Sequence, residues 1–282
     1  MSLELDWSVF EKICKLGSGA NGTVYKVKAL KTSIYSAEHS GRIELANPEQ
    51  LRKYGVNQQK LGINMHSAVE KSNKTRQLLA DQCYVIKEIN VSDWGRRAAL
   101  EAFEEIAIMA EIDSHFVVGY YDSFVTGQTI CIIMEYCQHG DLHYRIKQQQ
   151  KKPFANNFLW KVFVHICLGM HYLHARNVIH RDIKSLNVFM TQDNSAKIGD
   201  FGNIKKLKDK PMQLNPTGGH LERIGEEAEN EMVDDEEVDR VGTPYYLAPE
   251  LWQNRPQSKA SDVWALGVLL YEMCAHEYPY DA

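Results

Sequence analysis

The chain has 282 residues, 44% hydrophobic and 24% charged, an ordinary globular balance with room for one large or two small domains. Its net charge of −5 is uneven: residues 221–239 hold ten acidic residues and one arginine, net −9, which leaves the remainder at +4. That mild remainder excludes a broad nucleic-acid face and suits a phosphate ligand.

Six cysteines (Cys14, Cys83, Cys131, Cys137, Cys167 and Cys274) lie scattered without CxxC pairs. They read as reduced thiols of a cytoplasmic-type compartment, not as a disulfide frame or a zinc site. The start, Met1 to Trp7, has no leader pattern, and the longest apolar stretch, Val263 to Met273, is too short to span a bilayer. No membrane partner is expected.

Residues 7–28 alternate around glycines, as a strand–turn–strand does. They contain Gly17-Ser18-Gly19-Ala20-Asn21-Gly22-Thr23-Val24, a GxGxxGxV loop whose glycines let backbone amides approach phosphates closely. Alone the pattern is weak: a hairpin turn explains it as well. The next element reads as a strand instead of a helix, which disfavours a dinucleotide-binding fold. Residues 31–80 are polar, aperiodic and glycine-bearing, and read as an insertion; Ala68 to Gln82 at its end reads as a short helix.

Residues 83–89 predict a strand with Val85 and Lys87 on one face. The bland alternative for Lys87 is a surface lysine on an edge strand. Ala98 to Ile112 places Leu100, Phe103, Ile106, Ala107 and Ala110 near one helical face. Strands follow over 116–125 and 129–135. Gly140-Asp141-Leu142 opens a shorter helix, and Phe154 to His174 is a longer one. Residues 208–238 form a second, acidic insertion, and Ser258 to Met273 reads as a buried helix. A strand-rich part before a helix-rich part predicts an α+β fold in two lobes.

The chemistry concentrates in His180-Arg181-Asp182-Ile183-Lys184-Ser185-Leu186-Asn187 and in Asp200-Phe201-Gly202. The spacing is that of phosphoryl transfer. Asp182 can orient and deprotonate a hydroxyl, Lys184 can neutralise the transferred phosphate, and Asn187 and Asp200 can hold Mg²⁺. A charged loop beside an unrelated turn is the competing explanation; the combined length of the two motifs makes it a poor one.

These strings resemble the catalytic and metal-binding loops of eukaryotic protein kinases. Tyr120-Tyr121-Asp122, Met134-Glu135-Tyr136-Cys137, Ile183-Lys184-Ser185, Asn187-Val188-Phe189 and Val241-Gly242-Thr243-Pro244-Tyr245-Tyr246 resemble the NIMA-related (Nek) Ser/Thr kinases in particular. The likeness covers about 7–28 and 83–282, minus the acidic insertion.

It implies an N-lobe over 7–134 and a C-lobe over 135–282. It also implies ATP and Mg²⁺ as cofactors, and protein substrates with a Ser or Thr acceptor. Gly17, Gly19 and Gly22 would cover the phosphates, and Lys87 would pair with Glu105. Val24, Val85 and Phe189 would enclose adenine. Met134 would be the gatekeeper, with the backbone of Glu135 and Cys137 bonding the base. Thr243 would bond Asp182 and Lys184, and Asp262 would brace the catalytic loop, the alternative being a helix-start carboxylate.

The departures from the family are specific. Residues 31–80 and 208–238 exceed the family's loops and are candidate docking segments for partners. Asp239 stands where relatives carry a phosphorylatable Thr, and Arg181 is the type of cation that clamps such a phosphate; the alternative is that Asp239 merely ends the acidic run and faces water. Asn203 replaces an apolar residue. A kinase continues through more helices beyond Ala282, one of them supplying an arginine for Glu250, so the resemblance implies that the chain stops short in the C-lobe. The alternative function is a pseudokinase scaffold.

Overall fold

The computed structural model describes residues 5–19, 22–32, 77–92, 96–207 and 241–280. Five antiparallel strands form one sheet: β1 (Phe10–Gly19), β2 (Gly22–Ala29), β3 (Cys83–Asn90), β4 (Tyr120–Thr126) and β5 (Thr129–Glu135), in the order β1-β2-β3-β5-β4. Helix α1 (Arg96–Glu111) joins β3 to β4.

The alternation read from the sequence sorts the two faces of β3. Tyr84 and Ile86 enter an outer core with Val27, Phe124 and Ile133. Ile89, two residues beyond Lys87 and on its face, joins a second core with Ile106, Met109, Tyr120, Leu173 and Phe201. That second core ties the sheet to α1 and to the helical half. Lys87 lies in an interior strand, between β2 and β5, so it is not an edge lysine.

The helical half contains α2 (Leu142–Gln148), α3 (Asn156–His174), α4 (Pro249–Trp252) and α5 (Lys259–Ala275), with short pairs β6 (Val178–Ile179) with β9 (Lys205–Lys206) and β7 (Val188–Met190) with β8 (Ala196–Ile198). Asp141 caps α2, its side chain accepting from Tyr144 N–H. Ser258 and Ser261 close a capping box at the start of α5. A third core joins α2, α3 and α5 through Leu142, Ile166, Val188, Ile198 and Leu269. Gly169 on α3 permits close approach to this core, since a Cβ there would meet the Ile198 side chain at 3.0 Å and the Phe116 carbonyl oxygen at 2.7 Å. Among the described residues no helix is long and apolar enough to cross a membrane.

Most element boundaries agree with the sequence within two residues. The strand expected from 116 starts at Tyr120. The helix expected over 68–82 is corrected where the structure describes it: residues 77–82 form a bridge and a turn, and 68–76 lie outside the described residues. Leu78 is 1% exposed in the outer core, and Asp81 donates its N–H to Ala29 O at 2.8 Å. An apolar anchor, not helical periodicity, returns the chain to the sheet. The bodies of both insertions, residues 33–76 and 208–240, lie outside the described residues.

Candidate active site

The catalytic-loop string connects β6 to β7, and α5 sets its backbone. Asp262, 2% exposed, accepts the N–H groups of His180 and Arg181, each at 2.9 Å, and His174 Nε2 at 2.8 Å. Burial alone would raise the Asp262 carboxyl; the bonds from His174 and His180 outweigh it and hold the group below the usual carboxylate range. Three donors on a desolvated carboxylate make Asp262 a brace, since a helix-start carboxylate would have stayed at the surface.

The brace supports strained backbone. Arg181 has φ +68° and Asp200 φ +57°, left-handed values that are costly for non-glycine residues. His180, fully buried, ties the two turns together: its Nε2 donates to Gly199 O at 3.1 Å, and its Nδ1 accepts Asp182 N–H at 3.3 Å.

Asp182, 8% exposed, is engaged on both oxygens. Lys184 Nζ lies 2.7 Å and Asn187 Nδ2 3.1 Å from Oδ2, and Thr243 Oγ1 donates to Oδ1 at 3.0 Å. Lys184 also donates to Thr243 Oγ1 at 2.8 Å. The structure thus gathers Asp182, Lys184, Asn187 and Thr243 into one contact group.

Lys87 reaches across to Asp200, Nζ to Oδ1 at 3.2 Å. Burial would raise the Asp200 carboxyl, but Lys87 prevails and keeps it low. Among the described residues Asp200 is the ion-pair partner of Lys87; Glu105 does not close to bonding distance. Burial pushes the Glu105 carboxyl up to about 7, against the pull of Lys87 and with the repulsion of Asp200. A carboxyl so placed holds its proton until close to neutral pH.

Val24 pairs with Lys87, and Val85 with Met134, across adjacent ladders, so these side chains share the face of the sheet that looks toward Asp200. Met134 packs on the core between the halves. Phe189 sits in β7; a Cβ at Gly199 would meet its ring at 2.9 Å. Cys137 is 7% exposed, and burial pushes its thiol up to about 12, so it stays neutral.

The three glycines differ. Gly17 and Gly19 have open space where a Cβ would stand. Gly22 has φ +110°, and a Cβ there would lie 2.1 Å from Glu88 O, so close approach to β3 demands glycine whatever the ligand. Residues 20 and 21 at the loop tip lie outside the described residues, as does Asp239. Arg181 Nε donates to the carbonyl of Asn203.

Sequence reasoning missed a buried network behind the loop. Glu272 on α5, 3% exposed, accepts from Ser185 Oγ at 2.9 Å, from Tyr246 OH, and bonds His143 Nδ1 at 3.3 Å. A lone glutamate in the apolar run Leu269-Leu270-Tyr271-Glu272-Met273 was the available signal. It also missed Lys197, paired with Glu135 at 2.9 Å, for which periodicity gave none.

The family model described as "Protein kinase domain" matches residues 56–282. The chain is 36% identical over 199 residues to the mouse serine/threonine-protein kinase Nek1, a match covering 71% of this chain and 15% of that protein. It is 36% identical to mouse Nek3 over 203 residues (72% and 35%), and 32% identical to mouse Nek11 over 231 residues (81% and 33%). The aligned part is thus about a seventh to a third of each relative's length.

Proposed function

The chain belongs to the protein kinase family, and from that premise we propose that it transfers the γ-phosphate of ATP to Ser or Thr hydroxyls of protein substrates with the help of Mg²⁺. The observation that carries this reading is the Asp182 group. Lys184 and Asn187 fix one carboxylate oxygen and Thr243 the other, so the carboxylate keeps one orientation. An arriving hydroxyl that displaces the Thr243 contact meets an oriented base, with Lys184 beside it to neutralise phosphate charge. Little covalent chemistry is asked of the protein; fixed geometry and fixed charge are the catalytic means.

The donor set suits Mg²⁺. Asn187 spends its NH₂ on Asp182, to O at 2.8 Å and Oδ2 at 3.1 Å, which leaves its carbonyl oxygen for a hard cation. Asp200 spends Oδ1 on Lys87 and is 38% exposed at the side chain. Among the described residues no cluster of three or more His, Cys, Asp or Glu can hold a metal. That agrees with an ion held by one or two protein oxygens and completed by phosphates and water. When bound, the ion would neutralise phosphate charge. Lys87 would hold the phosphates from above, Gly17, Gly19 and Gly22 would cover them, and Val24, Val85, Met134 and Phe189 would enclose adenine against the backbone of Glu135 and Cys137.

On this reading 7–134 is the N-lobe and 135–282 the C-lobe. Six free cysteines support a reducing, cytoplasmic compartment. Docking of partners on the bodies of 31–80 and 208–238, and an Asp239–Arg181 clamp, are readings of the sequence alone. The presence of Lys87, Glu105, Asp182, Asn187 and Asp200 supports an active kinase over the pseudokinase alternative.

Lys87→Met and Asp182→Asn should each lower transfer of radiolabelled phosphate to a generic Ser/Thr substrate at least ~100-fold, with the circular dichroism spectrum unchanged. Turnover at the unmodified rate in Asp182→Asn would remove the basis of the assignment.

A further inference from the structure

We propose that Lys197 is a positioning residue for the nucleotide, acting through the segment that joins the two halves, with Lys26 as its weaker counterpart from the sheet. The inference rests on the kinase reading above and adds to it the two residues that hold the adenine-binding backbone in place.

Glu135 ends β5 and opens that segment. Its Oε2 accepts Gly119 N–H at 3.0 Å and Lys197 Nζ at 2.9 Å. Its own N–H donates to Gly119 O at 2.8 Å. The Lys197 side chain is 13% exposed and that of Glu135 26%, so water competes poorly for this pair. In the β7–β8 ladder Lys197 stands opposite Phe189, and it precedes Asp200 by three residues. One ammonium therefore joins the strand beneath the adenine position to the backbone beside it.

The next residue, Tyr136, is held from the other side. Lys26 Nζ lies 4.3 Å from its ring centroid, and Lys26 shares a cross-strand row with Val85 and Met134. Buried Cys137 follows. Three successive residues are thus fixed: by a lysine from the helical half, by a lysine from the sheet, and by burial. The backbone groups of Glu135 and Cys137 that would meet the base inherit their spacing from these side chains.

Magnitudes rank the two lysines. The Lys197 bond is charged on both partners and mostly desolvated, which makes it the stronger contact. The Lys26 contact is a half-exposed cation–π pair, worth about two- to fivefold in an equilibrium. Neither lysine touches the reacting atoms, so the effect should fall on nucleotide affinity and spare the chemical step.

The test uses the full 282-residue chain. The Lys197→Met, Lys197→Arg and Lys26→Met variants would be measured for KM of ATP, kcat, Mg-ADP affinity by calorimetry, and Tm. Lys197→Met should raise both KM for ATP and Kd for Mg-ADP about tenfold, with kcat within about twofold. Lys197→Arg should restore most of the affinity. Lys26→Met should shift affinity two- to fivefold, as above. Adding Glu135→Gln to Lys197→Met should weaken binding little further, because the pair acts as one unit. Unchanged Mg-ADP affinity in Lys197→Met beside a lower Tm would overturn the inference and leave the pair merely structural. So would a fall in kcat with constant KM. An unmodified chain that binds no Mg-ADP would overturn the kinase reading, and this inference with it; an unmodified chain that binds beside an equally competent Lys197→Met would overturn this inference alone.

Discussion

Asp122 shows how a buried acid shapes pH dependence residue by residue. It lies in β4, 4% exposed, and accepts Ser123 N–H at 2.7 Å. Burial pushes its carboxyl from 3.8 to about 7; the Ser123 bond opposes this and loses. Below 3.8 both folded and unfolded chains hold the proton, and Asp122 costs nothing. As pH rises toward 7 the unfolded chain releases it first, so stability falls, and above 7 the full penalty is present. A tenfold difference in proton affinity between the folded and unfolded chains is worth roughly 1.4 kcal/mol. Asp122→Asn should therefore stabilise the protein at pH 8, change little at pH 4, and flatten the slope between. Urea midpoints across that range test it; a constant offset at every pH would show that the carboxyl titrates normally. The opposite signs belong to Asp200 and Asp262, held low, whose contributions are lost as pH falls through their folded values.

The element that sets the backbone of the candidate site is α5, which presents Asp262 to a loop some eighty residues earlier in the chain. If Asp262 merely favoured the helix N-terminus, removing it would cost about 0.3–1 kcal/mol. As a brace it leaves two N–H donors unpaired when removed, that of His180 buried and that of Arg181 half-buried, each worth roughly 1–3 kcal/mol. Asp262→Ala should thus lower stability by about 2–6 kcal/mol and also release Arg181 from its left-handed backbone, cutting phosphotransfer further than the stability loss explains. Asp262→Asn, which keeps one acceptor, should lie between. Urea unfolding and single-turnover transfer on the same samples separate the two effects. A loss in Asp262→Ala no larger than the helix-end figure would return the residue to a surface role.

Across the whole molecule, the unusual surface is on the helical half. Helix α3 exposes Trp160 (59%), Val164 (46%) and Leu168 (42%) at successive turns, and α5 exposes Val263 (56%) and Tyr271 (43%). These residues contribute little to the cores of the described protein, and contiguous apolar patches drive association. Trp160→Lys with Val263→Lys should raise the concentration at which the chain stays monodisperse, and should shift stability by no more than ~0.5 kcal/mol. Light scattering and thermal melting decide it. A melting temperature lowered by many degrees would mean that the two faces are packed in solution.

Local chemistry settled much by itself. Glycine spacing, the alternation of Val85 and Lys87, the helical periodicities and the string from His180 to Asn187 each fix structure or function within a few residues. They made the α+β fold class legible before any coordinate, and the resemblance of the motifs supplied the family and the candidate members of the site. The long-range choices were not legible. Which partner Lys87 takes, Asp200 in place of Glu105, depends on how α1 approaches the sheet. Leu78 falls within the helix expected over 68–82, because a single apolar anchor carries no period of its own. Glu135 meets Lys197 only where two halves of the chain fold together, and Gly22 is required because β3 runs 2.1 Å from where a side chain would begin. Spacing along a chain reports what one element can do, whereas pairing, burial and charge balance belong to surfaces that the chain assembles only when those elements pack.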